Sequence, residues 1–289
     1  VRASVIVSVA VVALFCLMWV LLSRSFLQIA TSTGKVVHRE YRERHIKKRG
    51  IDAALLGREF SHFASSPNYM LNCGLGTFLM PLCAIAVLWK GSELFDQLDR
   101  MFAETAGSVP LLLCVVLCGL ASMNFMTAPS ISLEGKSIWL LQSLPVEPWR
   151  IFQAKIRMQL LLTGLPLLLC IVCMVVVYPI HSMQLLMLLL FAGSYVLFMA
   201  LVGLFFGIKM PTLTWTNEVV LIKQGAPVMI TLFGGFGYMV LLFVGFMLLP
   251  GWILGFCGYM SCYVGANLFL SGWVYLWLRK KGVARFSAL

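Results

Sequence analysis

Apolar runs long enough to cross a bilayer recur along the chain at roughly 4–23, 70–89, 108–128, 158–178, 185–208, 227–249 and 253–278. About 20 helical residues cover the hydrocarbon core of a membrane. The runs lack the alternating pattern of a barrel strand, and only helices and closed barrels satisfy their backbone groups in lipid. The pattern predicts an all-α polytopic membrane protein of about seven transmembrane helices, plus helices on the membrane surface. Residues 51–66 read differently. Ile51, Leu55, Leu56, Phe60, Phe63 and Ala64 recur at helical spacing, while Asp52, Arg58, Glu59, His62 and Ser66 occupy the other side. Such a helix is too short and too polar to cross, so it lies on the surface. Asp52 is the expected cap, and Pro67 the expected stop. A second amphipathic stretch, Pro211 to Gly225, joins two runs and carries Trp215, a residue suited to the interface.

Composition agrees: 61% of residues are hydrophobic and 11% charged, where a soluble chain is about a quarter charged. The net charge of +11 is distributed as a topology signal. All 22 lysines and arginines except Arg2, Lys90 and Arg100 fall in 24–69, 129–157, 209–226 or 279–289. Basic loops face the cytoplasm, so this places the first residues outside and the C-terminus in the cytoplasm. The acidic segment 90–107, with Glu93, Asp96, Asp99 and Glu104, belongs outside. Charges split among four loops without interleaved aromatic residues do not form a nucleic-acid surface; the bilayer is the expected partner. The first run has no small-residue cleavage site, which excludes a removable signal. It ends on the inside before the basic stretch 24–50, as the last run does before Arg279. Residues 1–23 therefore read as the last helix of a preceding, similar half, 24–50 as a linker, and 51–289 as a six-span domain. A second, similar half, fused or separate, is implied.

No reaction chemistry is visible. The four histidines are scattered, and none of the nine cysteines has a histidine at metal-ligand spacing; no metal site and no catalytic group is expected, and the cysteines read as small apolar residues. Gly135-Lys136-Ser137 lacks the glycine that a phosphate loop needs at position 130, which is serine. No ionisable residue falls at mid-depth of a run, which disfavours a secondary transporter with its own ion relay. Asn124, Asn267, Thr163 and Tyr195 are the polar exceptions, expected to bond between helices. Gly203-x-x-x-Gly207 has close-packing spacing.

Three features carry a family resemblance: Leu55-Leu56-Gly-Arg58-Glu59-Phe60 in the surface helix, the run Leu133-Glu134-Gly135-Lys136-Ser137-Ile-Trp139-Leu140-Leu141 followed by Ser143-Leu-Pro145 and Lys155, and the six-span layout of 51–289. In these the chain resembles the permease subunit of type-2 ATP-binding cassette (ABC) transporters, as the C-terminal half of a fused bacterial exporter permease in the cytoplasmic (inner) membrane. The resemblance implies transport driven by ATP hydrolysis on separate ATPase subunits. ATP and Mg would bind those partners, and this chain would bind no cofactor and be no enzyme. It makes 129–150 a coupling loop, with Glu134, Gly135, Lys136, Trp139, Leu140, Leu141 and Pro145 meeting the ATPase and Ser132 capping the coupling helix. Arg58, Glu59 and Phe60 fall in the connecting helix. Asn72, Thr77 and Asn124 are the candidates for the translocation path. The alternatives are a secondary transporter and a non-transporting membrane scaffold or sensor.

Overall fold

The computed structural model describes residues 2–31, 50–102, 107–248 and 251–289. Two units divide the chain, Val1–Lys48 and Arg49–Leu289. The first contains one apolar helix, α1 (Arg2–Thr31), longer than its sequence run. The rest of the expected linker, 32–49, lies outside the described residues.

In the second unit the elements are α2 (Ile51–Ser65), α3 (Pro67–Cys73), α4 (Leu75–Met101), α5 (Ser108–Ser122), a 3₁₀ turn (Ser132–Ser137) and α6 (Ile138–Gln142). There follow α7 (Pro148–Val177), α8 (Ser182–Lys209), α9 (Glu218–Gln224), α10 (Ala226–Leu248), α11 (Gly251–Trp277) and α12 (Val283–Ser287). No strand occurs among the described residues, only an isolated antiparallel bridge between Gly74 and Asn124. By length and composition four helical stretches can cross a membrane: Leu75–Met101, Pro148–Val177, Ser182–Lys209 and Glu218–Leu248. The other three apolar runs fall on α1, α5 and α11.

The bundle centres on α7 and α8. Helix α7 packs on α4 and α2, and α8 packs on α11, α7, α10 and α5. Fully buried Leu111, Leu117, Phe191 and Tyr195 lie in one apolar cluster, and Phe152, Ile131 and Phe286 in another. Cys114, Cys118, Cys170 and Cys173 are buried free thiols, which accords with their reading as apolar residues. Tyr195 shares a 2.6 Å hydrogen bond with Ser122, and Asn267 accepts one from Tyr238 at 2.9 Å. Tyr195 and Asn267 thus bond between helices as expected, whereas the Thr163 hydroxyl does not.

Two expectations about helix ends fail. Residue Gly50, not Asp52, caps α2, without a side-chain bond; Asp52 sits in the first turn, where the helix dipole favours an acid. More consequentially, the run at 108–128 is not one helix. Helix α5 stops at Ser122 and covers about 22 Å of a core about 30 Å thick. Residues 124–135 then continue as buried, non-α-helical chain. The run at 70–89 is also interrupted, by the break at Gly74 between α3 and α4.

Candidate functional site

The two interruptions meet. Helices normally satisfy their own backbone groups in lipid, and irregular backbone is tolerated there only inside protein or along a cavity. Here some freed groups bond locally, as Asn124 N–H does to the Ala121 carbonyl, and others find partners in distant segments. Phe125 N–H donates to the Cys73 carbonyl at 3.1 Å, across the break in the first run. The Asn124 Oδ1 accepts from Thr77 N–H at 3.0 Å. Thr77 is the third residue of α4, so Asn124 caps that helix from 47 residues away, as a local asparagine ordinarily would.

Gln159 on α7 supports the unwound segment with both ends of its amide. Its Oε1 accepts from Thr127 N–H at 2.8 Å, and its Nε2 donates to the Asn124 carbonyl at 2.9 Å. Tyr69 donates to the Met126 carbonyl at 2.7 Å, and Thr127 Oγ1 to the Ala200 carbonyl at 2.9 Å. Glycines let α8 approach: a Cβ at Gly203 would overlap Thr127 Oγ1, and one at Gly207 would overlap the Ala128 carbonyl. The Gly203-x-x-x-Gly207 pair therefore packs on irregular chain rather than on another helix. Two polar atoms of this seam, Asn124 Nδ2 and Thr163 Oγ1, are buried without a partner.

The seam ends at a cluster of four charges. Lys155, fully buried on α7 and about 10 Å along that helix, donates to Glu59 Oε2 at 2.9 Å, Glu134 Oε1 at 3.0 Å and the Ser130 carbonyl at 3.2 Å. Arg58 reaches Glu134 Oε2 at 2.6 Å and Oε1 at 3.2 Å, a two-pronged pairing, and Glu59 at 3.0 Å. Two cations thus meet two carboxylates, and all four carboxylate oxygens have donors. Burial alone would push the Glu134 carboxyl up, but Lys155 and Arg58 hold it down to about 2. Burial lowers the Arg58 guanidinium, and the carboxylates of Glu134 and Glu59 more than offset this, leaving it raised. The cluster fastens α2, the 3₁₀ turn and α7 to one another.

The other expected site residues divide. Lys136, Trp139 and Leu140 are exposed while Leu141 is buried. Pro145 is exposed. Gly135 adopts a left-handed φ of 52° and lies against the Trp215 ring, whose Nε1 donates to the Ser132 carbonyl at 2.7 Å. Ser132 does not cap the turn; its hydroxyl accepts from Thr212 N–H at 3.0 Å. Phe60 packs beside the cluster of Phe63 and Tyr69. Thr77 and Asn124 are bonded to each other, and Asn72 lines a cleft beside them. Sequence reasoning missed Gln159, and also the buried charges as an internal pairing. The signal was present: Lys155, Gln159 and Thr163 recur every fourth residue along an otherwise apolar stretch of α7.

Among families of known proteins, the model of one described as "membrane protein of 12 TMs" matches residues 2–277. No curated protein matches the chain, and no solved structure does. The matching family is not an ABC permease family, and no ABC signature is found. This overturns the resemblance to type-2 ABC permeases. The physical reason is visible in the site: Glu134, which that resemblance presents to an ATPase, is buried and neutralised within its own chain.

Proposed function

The chain belongs to the family of membrane proteins of 12 transmembrane segments, and from that premise we propose that it is a transport protein whose moving part is the seam between the two interrupted spans. One observation carries the reading: the break at Gly74 faces the unwound segment after Ser122, inside a helical membrane protein. Paired interruptions mark the sites of many transporters, because freed backbone groups can bind a passing solute and broken helices can bend. Asn72, Thr77 and Asn124 lie along this path. The orphaned Asn124 amide and Thr163 hydroxyl supply hydrogen-bonding capacity that the packed state leaves unused. On this reading the chain is not an enzyme, a second set of spans completes the enclosure, and the basic loops hold the charge cluster on the cytoplasmic side.

Native Cys73, buried at the break, tests the proposal in a background lacking the other eight cysteines. In sealed vesicles, a membrane-impermeant maleimide should label Cys73 slowly from either face, because the seam opens alternately. Labelling from neither face, in protein that unfolds at the wild-type temperature, would identify a static scaffold and end the transport reading.

A further inference from the structure

A trough with a volume of about 290 Å³ lies between α3, α4, α9 and α10. Its floor on α10 is a stripe of Val228, Leu232 and Phe236, with Leu75 and Phe125 opposite. Successive members of the stripe are four residues apart, so it runs straight along α10 for about 12 Å. Leu75 is exposed and Leu232 and Phe236 are half-buried, so the trough opens on the outside of the unit. One cation lines it, Lys223, on α9 before the first turn of α10. Its side chain is exposed, and the ammonium has no ion pair and no hydrogen bond among the described residues. The nearest acid on its own helix, Glu218, is engaged by the Ser66 hydroxyl at 2.8 Å. Asn72 also lines the trough, and its amide donates to the Asn68 carbonyl at 2.8 Å.

We propose that this trough binds one anionic phospholipid, with an acyl chain along Val228, Leu232 and Phe236 and the phosphate on Lys223. An apolar trough with an unpaired ammonium toward one end matches the polarity of such a lipid along its length. A neighbouring apolar helix would leave the ammonium without a counter-charge, and a free phosphate would leave the channel empty. Basic groups at the margin of membrane helices attract anionic headgroups in this way. The trough shares Asn72 and Phe125 with the seam of the transport reading, but lipid retention does not depend on movement of that seam, so the two readings fail separately.

The test is retention of dioleoyl phosphatidylglycerol against dioleoyl phosphatidylcholine by the purified full chain, read by native mass spectrometry from mixed micelles of equal lipid content. Wild type should keep one phosphatidylglycerol in preference. Lys223→Gln, a surface change that leaves folding intact, should lower that retention about fivefold, the weight of one lysine near an anionic surface. Lys281→Gln, an exposed lysine outside the trough, should leave it unchanged. Leu232→Trp, which fills the channel, should remove the bound lipid. Equal retention of both lipids by wild type, or unchanged phosphatidylglycerol retention in Lys223→Gln, would overturn the proposal. So would a Leu232→Trp protein that keeps its lipid.

Discussion

The charge cluster and the amide seam are neighbours on α7, yet they solve burial in opposite ways. Around Lys155 every carboxylate oxygen is met and the formal charges cancel. Around Gln159 the groups are neutral, the bonds go to backbone, and two polar atoms remain unmet. A buried ion loses several kcal/mol of hydration and tolerates no missing partner; a buried amide or hydroxyl loses less, about 1–3 kcal/mol if left alone. The cluster is therefore the part that holds, and the seam the part with room to rearrange.

Removing the central cation is the severest way to break this contrast. Lys155→Met should cost about 3–5 kcal/mol, because two buried carboxylates would then share one arginine. Thermal unfolding in detergent should show a large fall, and a variant as stable as wild type would mean that the cluster is solvated. Gln159→Leu strikes the seam instead. It removes two hydrogen bonds to backbone groups that the adaptable seam has room to re-pair, about 0.5–1.5 kcal/mol each, and should destabilise less than Lys155→Met. The reverse ranking in the same unfolding assay would invert the assignment of the rigid and the adaptable region.

Acid gives the mildest test. Glu134 ionises near 2 in the folded chain against an ordinary carboxyl value of 4.5. Its folded value is depressed, so its stabilisation is fully present above about 4.5 and fades as pH falls toward 2. Wild type should thus hold a constant unfolding temperature from neutrality to about pH 5 and lose it below, and Glu134→Gln should show a shallower acid limb. Parallel limbs for the two proteins would remove Glu134 from the pH response.

The surface helix was legible because its apolar residues keep one face: 51–66 was expected and Ile51–Ser65 is found. The apolar runs were legible as helices for the same reason. The interruptions were not. Hydropathy reports how side chains partition, and Phe125, Met126 and Ala128 are as apolar as a continuing helix requires. What ends α5 at Ser122 is tertiary: backbone partners supplied by Cys73, Tyr69 and Gln159, far away in sequence. Glu134 and Lys155 were noticed as motif residues, but their pairing with each other and with Glu59 was hidden by distance along the chain. The resemblance built on them then pointed the acid outward, where the fold turns it in.

Chain order adds a consequence for biogenesis. Glu59 and Glu134 both precede Lys155, so the ribosome delivers the two anions before the cation. Helix α7 carries this lysine about 10 Å from its first residue, beside the apolar stretch that would cross the bilayer, and a lone cation there opposes insertion. Its counter-charges are already synthesised when it emerges. The last partner to arrive is the one that cannot remain in lipid alone, which ties the insertion of α7 to the prior placement of α2 and the 3₁₀ turn.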